Sequence, residues 1–273
     1  MSILRSTFRG APGLIVIFLS ITPLHANIGR DFGKAGKAAK QGEWISENSV
    51  FVEHDRDRAD TVWTLETALQ YAPGWLPNTT LLLESGWYQW HRPKEGERFS
   101  GNGDIDFTAL YQLFAPPEAA SHRPASHRPA ISLGGRIKFP TAGNREIGTG
   151  KLDYTGLVLI GKELGDFEIN LELEYTIYGQ PDGVGGPDPD APERRKNQIF
   201  YTLALDYDMT EHFKVFVELY GETGSIASEQ GGTGLLAGIE YDIDLNARAN
   251  LYTQLSADTD NQFSVKIGVE WKW

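Results

Sequence analysis

The histidines are the first residues to consider for catalysis, because a Ser–His pair or a cluster of Asp and His can hydrolyse an ester or a peptide. His54, His91 and His212 lie near the ends of predicted strands, and no serine motif stands beside them. His122 and His127 could bind a metal ion, but each is followed by an arginine, whose charge opposes a cation. The chain also has no cysteine, which excludes thiolate chemistry. The sequence therefore predicts neither an enzyme nor a metal site.

Two glycine patterns resemble nucleotide-binding motifs but lack their context. Residues 232–237 match the dinucleotide fingerprint, yet a strand follows them where that motif needs a helix. Gly143 and Gly148 have the spacing of a phosphate-binding loop, but Thr149 replaces its lysine. The acidic loop 179–196 offers oxygen ligands for Ca²⁺, and a solvated surface loop explains the same composition. We therefore expect no cofactor, and any transport would be passive.

Charged side chains that alternate with apolar ones are the remaining groups that could act on a solute. They are Arg136, Lys138, Glu168, Glu172, Glu174, Asp206, Lys214, Glu218 and Arg248. In a membrane barrel these side chains would face the lumen, because an Arg or Lys facing lipid costs roughly 2–4 kcal/mol at mid-depth. Pairing across the interior would hold the wall together, whereas an acidic side and a basic side would orient a passing solute. We favour pairing around a narrow passage.

The elements that would position these charges are strands, since the hydropathy pattern has a period of two. In residues 166–178 every odd position from Phe167 to Ile177 is apolar, and the even positions from Glu168 to Glu174 are polar. Similar alternation occurs at 105–113, 131–139, 199–207, 213–219, 247–255 and 263–273, and weaker strands fit 48–54, 61–71, 79–90, 151–163 and 232–242. The sequence thus predicts about twelve strands.

Strand lengths and connections indicate a membrane barrel. Many predicted strands have about 10 residues, close to the 9–11 of a membrane-spanning strand, whereas soluble strands average about 5–6. The connections alternate between short ones (243–245, 210–211, 164–165) and long ones (257–261, 222–231, 179–196, 141–150), and 115–129 is long on the short side. We therefore predict an all-β fold, a transmembrane antiparallel up-and-down β-barrel whose short turns are periplasmic.

Composition and the N-terminal segment define the compartment. The net charge of −12 makes nucleic acid an unsuitable partner, and the mean hydropathy of −0.35 excludes a bundle of membrane helices. Residues 1–26 combine Arg5 and Arg9 with a short apolar run, which is typical of a cleaved secretory signal peptide. Residues 27–46 are expected to form a flexible periplasmic lead, or alternatively a plug helix in the lumen. Residues 47–273 would form the barrel.

One motif carries a family resemblance. Lys138, Pro140 and Thr141 end a predicted strand, and Gly148, Gly150 and Asp153 precede the next one. This pattern resembles the phenol-degradation meta-pathway (MetA-pathway) family of outer-membrane transporters, although Ala142 interrupts the expected Thr-Gly pair. The resemblance implies a barrel in the outer membrane of a Gram-negative bacterium that moves small compounds, aromatic or hydrophobic ones among them.

The last strand provides a second resemblance and completes the prediction. Val269, Trp271 and Trp273 alternate and end on an aromatic residue, which resembles the signal by which the barrel assembly machinery recognises outer-membrane proteins. We therefore predict a passive outer-membrane channel or transporter for small solutes, with outer-membrane lipids as its surroundings. The alternatives are a barrel with a closed lumen and a structural or surface-interaction role, and a soluble secreted β-protein.

Overall fold

The structure is a computed structural model that describes residues 41–56, 59–94, 96–114, 129–144, 147–180, 194–225, 231–243, 249–259 and 261–273. The predicted signal peptide, and the lead up to residue 40, lie outside the described residues. In the ranges that are described, no helix is long and apolar enough to cross a membrane.

The described part of the chain contains thirteen strands. These are β1 (Trp44–Asp55), β2 (Asp60–Tyr71), β3 (Thr79–Arg92), β4 (Phe99–Gly101), β5 (Ile105–Phe114), β6 (Ala130–Phe139), β7 (Asp153–Leu164), β8 (Phe167–Ile177), β9 (Gln198–Asp208), β10 (Phe213–Glu222), β11 (Thr233–Asp242), β12 (Ala249–Asp258) and β13 (Gln262–Lys272).

Twelve of these strands close into one antiparallel barrel, so the predicted fold class is confirmed. Each long strand pairs with the next long strand along the chain, and β1 closes the sheet by pairing with β13. The short strand β4 pairs with the last part of β3, and β5 pairs with the first part of β3 in the same register. Because the sheet is closed, it has no edge strand with unpaired backbone N–H and C=O groups, which is the condition for a sheet to exist in lipid.

The two ends of the barrel differ in their connections. We call the end that holds Trp44 and Trp273 the turn end, and its connections include 165–166 and 209–212. The opposite end, called the loop end, carries longer connections at 140–152, 178–197 and 223–232. One predicted bound was wrong, since β12 continues through Asp258 and its connection to β13 is therefore only 259–261. The predicted turn 243–245 and the predicted start of the next strand fall largely outside the described residues, which resume at Ala249.

The distribution of apolar side chains is the reverse of that in a water-soluble protein. Along β8, Glu168, Asn170, Glu172, Glu174 and Thr176 are buried, whereas Phe167, Ile169, Leu173, Tyr175 and Ile177 are exposed. Neighbouring strands repeat this pattern, so the outer face of the sheet is apolar and the inner face is polar. An apolar outer band with aromatic rings toward its edges is the surface that a bilayer requires.

Inward glycines let aromatic rings lie along the inner wall. Gly234 is the cross-strand partner of Tyr220, and Gly238 is the partner of Phe216. A Cβ added at either glycine would come within 2.2 Å of the partner's ring. The dinucleotide-like pattern at 232–237 is therefore explained by ring packing, since Gly234 provides the space for Tyr220.

Apolar side chains fill one part of the interior. Leu82, Leu110, Leu157 and Leu159 form a buried cluster, with Ala68 packed against it. These residues come from the adjacent strands β2, β3 and β5 and from β7, which β6 separates from β5. Leu81, Leu82 and Leu83 are consecutive in β3, so hydropathy alone does not show which of them faces inward; Leu82 is buried and Leu83 is exposed. The interior therefore combines an apolar sector with a charged one.

Candidate functional site

The predicted lumen residues fall into three groups along the barrel. Arg136, Glu172, Glu174 and Glu218 are buried near mid-strand, and we call them the central charge cluster. Glu168, Asp206 and Lys214 lie toward the turn end, and Lys138 lies toward the loop end. Arg248 lies outside the described residues.

Arg136 provides the positive charge of the central cluster. Its Nη2 atom lies 2.6 Å from Oε1 of Glu174, two strands away. Its Nη1 atom donates to the second carboxylate oxygen at 3.4 Å, and its Nε atom donates to Thr108 at 3.3 Å. A two-pronged guanidinium–carboxylate contact fixes both side chains in place. The wall between β6 and β8 is therefore cross-linked from the inside.

Glu172 has a different environment from Glu174. Its side chain lies against the carboxyl of Glu174, is only 1% exposed, and neither of its oxygens accepts a hydrogen bond from an N–H or hydroxyl group of the described residues. Glu218 is also near enough to interact with it electrostatically. The cross-strand partners of Glu172 are Leu159 and Thr202. A second carboxylate thus lies beside the Arg136–Glu174 pair in partly apolar surroundings.

Two further predicted acids face each other across one pair of strands. Glu168 is the direct cross-strand partner of Asp206, and both are buried. Asn170 donates from Nδ2 to Oδ2 of Asp206 at 3.2 Å. Lys214 instead pairs at 3.7 Å with Asp208, whose side chain is half exposed at the turn end. Arg136 and Glu174 therefore form a charge pair across β7, whereas Glu168 and Asp206 bring two acidic side chains together on adjacent strands.

A second group of ion pairs involves acids of β1 and β2 that are not among the predicted lumen residues. Lys266 lies 2.9 Å from Oε2 of Glu66 and 3.2 Å from Oε1 of Glu47, and its side chain is buried. The Tyr252 hydroxyl donates to Glu47, and Ser49 donates to Glu66 at 3.0 Å. The alternation of Glu47, Ser49 and Glu53 with apolar or small residues was the available signal. This second ion-pair group ties β13 to β1 and β2 at the barrel's closure.

The resemblance motif forms a network at the loop end. Lys138 lies 2.6 Å from Oδ2 of Asp153 and 3.3 Å from Oδ2 of Asp104. Arg195, which the sequence analysis did not single out, lies 3.2 Å from Oδ1 of Asp153. The backbone N–H of Gly179 donates to the same Asp153 oxygen at 2.9 Å. We call Asp104, Lys138, Asp153 and Arg195 the loop-end network.

The other motif residues shape the loop around this network. Gly148 is buried, and a Cβ there would lie 2.4 Å from Ala142 and 2.9 Å from Asp104. Gly150 has a φ of +66°, which favours glycine. Pro140 and Thr141 are exposed, and the Thr141 carbonyl accepts a hydrogen bond from Asn102 at 2.8 Å.

Tyr178 extends the network away from the strands. Arg195 lies over its ring at 3.7 Å from the centroid, in a cation–π contact. Burial raises the pKa of the Tyr178 hydroxyl above its ordinary value, so the group stays protonated and donates to Gln198. Gln180 and Arg195 also exchange hydrogen bonds at 2.9 Å in both directions. The two ends of the long connection 178–197 are therefore held together.

The C-terminal residues complete the sheet at the turn end. Trp273 and Trp44 exchange two backbone hydrogen bonds of 2.9 Å. The Trp271 and Trp273 side chains are exposed, and Val269 pairs with Asn48 of β1. The last strand is therefore also the strand that closes the barrel.

The turn end contains a cavity of about 620 Å³. Its lining includes the turn 209–212 and the side chains Asp208, Lys214, Glu240, Asp242 and Lys272. Asn250 donates from Nδ2 to Glu240 at 2.8 Å and to Glu270 at 3.2 Å beside it. The cavity is an acidic vestibule with two lysines.

The histidines that suggested chemistry have ordinary contacts. His91 stacks on Phe99 at 4.4 Å between ring centroids and contacts Gln89 at 3.1 Å. His54 contacts Thr61 at 3.1 Å. Within the described ranges, no group of three His, Asp or Glu side chains is arranged to hold a metal ion. His122 and His127 lie outside those ranges.

Comparisons with known proteins identify the fold. No family model matches the chain, and no curated protein is similar to it. Among solved structures, the COG4313 outer-membrane channel from Pseudomonas putida F1 superposes with a TM-score of 0.66 and 14% identity over 87% of this chain and 97% of that one.

Two porins are also similar to the chain. The NanC porin has a TM-score of 0.55 and 12% identity, covering 82% of this chain and 98% of its own. The KdgM porin, solved with disordered oligogalacturonate, has a TM-score of 0.52 and 12% identity, covering 83% and 98%. At these identities the likeness concerns the fold, and the resemblance to the MetA-pathway family remains one of motifs. The chain has the fold of outer-membrane channel barrels.

Proposed function

We propose that this chain is a passive channel for small solutes in the bacterial outer membrane, and that it is not an enzyme. The observation that carries the proposal is the closed barrel whose exposed face is apolar and whose inner face is charged. Such a surface belongs in lipid, and a polar interior gives water-soluble compounds a route through it. The proposal includes a cleaved signal peptide over 1–26 and insertion by the barrel assembly machinery.

The competing function is a closed barrel with a structural or surface-interaction role. The packed leucine cluster and the cross-linked central charges favour a narrow passage over a wide one. Twelve strands lie between the filled interior of about eight and the open channel of about sixteen. Conduction is therefore the measurement that separates the two functions.

The class of solute follows from the interior. Acidic side chains outnumber basic ones on the inner face of the described strands, so an acidic oligosaccharide, such as the oligogalacturonate solved with the KdgM porin, fits this chain badly. The leucine cluster offers apolar contact to a hydrophobic or aromatic part of a solute. A solute with an apolar body is in accord with the resemblance to the MetA-pathway family.

Single-channel recording in a planar bilayer tests the proposal. The full-length mature protein is refolded, its barrel form is verified by heat-dependent gel mobility, and current is recorded under a salt gradient. Discrete current steps are expected. A correctly folded barrel that passes no current would overturn the channel function and favour the structural role. Recovery of the native protein in a soluble periplasmic fraction would overturn the membrane location.

A further inference from the structure

The central charge cluster holds more negative than positive charge. Two nitrogens of Arg136 donate hydrogen bonds to the carboxylate of Glu174. Glu172 lies beside this pair, and Glu218 is near enough to act on Glu172 electrostatically. The guanidinium of Arg136 also interacts electrostatically with Glu172, and with two more acids, Glu84 and Asp106.

Glu172 is the residue whose environment points to a ligand. Its side chain is 99% buried, and no N–H or hydroxyl group of the described residues donates to either oxygen. A buried carboxylate without a donor is strongly destabilising unless a cation or a proton compensates it. Glu172 and Glu174 are in hydrogen-bonding contact, and two carboxyl groups can be that close only when a proton or a cation lies between them. The interior thus contains a position that a cationic group would stabilise.

The surroundings of Glu172 select the kind of cation. Leu159 and Leu157 are the cross-strand neighbours of Glu172 and Glu174 on β7. Phe200 is the partner of Glu174 on the other side, and Leu236 is the partner of Glu218. All four apolar side chains are buried. A bare metal ion needs several converging oxygens, and the described residues offer no such group. An ammonium or guanidinium group on a short hydrocarbon body matches both the acids and the apolar lining.

From this geometry we infer that the barrel interior contains a binding site for small organic cations, centred on Glu172 and flanked by Glu174 and Glu218. The inference rests on the proposed function in so far as the site lies on the route of the permeating solute. The cationic group would sit between the carboxylates in charge-assisted hydrogen bonds, and the hydrocarbon part would contact Leu157, Leu159 and Phe200. The acidic vestibule at the turn end would raise the local concentration of such cations.

The first test measures binding without requiring conduction. Refolded protein in detergent micelles is mixed with ethylammonium chloride or sodium acetate, and saturation-transfer NMR detects the bound organic ion. We expect ethylammonium to bind and acetate to show no binding. Glu172→Gln should weaken ethylammonium binding at least threefold, while Glu97→Gln, an exposed acid of the loop end, should leave it unchanged. Equal binding by wild type and Glu172→Gln would overturn the inference.

The second test measures permeation in planar bilayers with ethylammonium chloride on one side and potassium chloride on the other. We expect the ratio of ethylammonium to potassium permeability to fall at least threefold in Glu172→Gln and to stay constant in Glu97→Gln. A barrel that conducts with the same ratio in all three proteins refutes the cation site and leaves the channel function standing. A silent barrel that still binds ethylammonium refutes the channel function and retains the site. Heat-dependent gel mobility verifies folding of each variant.

Discussion

Lys138 and Asp153 form an ion pair of 2.6 Å between the end of β6 and the start of β7, at the loop end of the barrel. Both residues belong to the motif that resembles the MetA-pathway family. Asp153 also contacts Arg195 and the backbone of Gly179, which lie at the two ends of the loop 178–197. The motif therefore has a structural role that the sequence pattern did not reveal, namely to anchor a loop from elsewhere in the chain.

Replacing Asp153 should release that loop. Asp153→Asn removes the charge that Lys138 and Arg195 share, and breaking a buried ion pair from one side costs about 3–5 kcal/mol. Hydrogen exchange at the Gly179 amide should become much faster, while exchange in the strands stays slow. The matched control is Asp208→Asn, since its pair with Lys214 is half exposed and contributes about 0–1 kcal/mol. Unchanged protection at Gly179 would contradict the anchoring role.

Removing Arg136 should alter both stability and selectivity. Arg136→Gln leaves Glu174 buried without its guanidinium, so we expect a loss of about 3–5 kcal/mol in the free energy of unfolding. Unfolding by urea in micelles measures this loss. The interior also becomes more acidic, so the reversal potential in a salt gradient should shift toward greater cation preference. A shift toward anions would show that the central acids do not face the permeation route.

Filling an inward glycine should destabilise the barrel. A Cβ at Gly268 would lie 2.3–2.6 Å from atoms of the Tyr252 ring and hydroxyl, and overpacking of this kind costs about 1–3 kcal/mol. Gly156→Ala is the control, because nothing lies within 4 Å of a Cβ there, and it should be neutral or slightly stabilising. In a protein that already carries Tyr252→Leu, Gly268→Ala should cause a smaller loss of stability, because the ring is gone. If the two substitutions had additive effects on the free energy of unfolding, a direct clash between Cβ and ring would be excluded.

The depth of a lipid-facing residue should set the penalty for a charge. Leu203 is exposed at the middle of β9, and Ile199 is exposed near its loop end. We expect Leu203→Arg to reduce the stability in lipid vesicles by about 2–4 kcal/mol, and Ile199→Arg by about 0–1 kcal/mol. Reversible unfolding in guanidinium, followed by tryptophan fluorescence, gives both values. Equal penalties at the two positions would mean that β9 does not cross a bilayer.

The last aromatic residues should matter for assembly in cells. Trp271→Ala combined with Trp273→Ala is expected to lower the amount of heat-modifiable barrel in the outer-membrane fraction several-fold, because both residues belong to the pattern that resembles an insertion signal. Trp75→Ala provides the control, since this tryptophan is highly exposed in the connection between β2 and β3. Refolding of the variants in detergent distinguishes an assembly defect from an unstable fold. Normal cellular levels of the double variant would exclude the signal.

Alternation along single strands made the fold predictable. Glu168, Glu172 and Glu174 alternate with apolar residues, and a strand places successive side chains on opposite faces whatever its neighbours are. The number of strands, the antiparallel barrel and the end that carries the short turns could therefore be predicted from local sequence. One bound shifted by a few residues, at the end of β12, because a strand continues for as long as a partner extends the ladder, as Gly234 does opposite Asp258.

The sequence by itself determined that charges alternate with lipid-compatible side chains, but only the tertiary structure decided which charges meet. Arg136 reaches Glu174 across β7, and Lys266 reaches Glu66 after the barrel has closed through β1 and β13. Arg195 joins Asp153 from a loop with no repeating pattern. Periodicity fixes the face of each residue, whereas register, closure and curvature of the sheet fix its neighbours across the interior, and these depend on the pairing of all twelve strands at once.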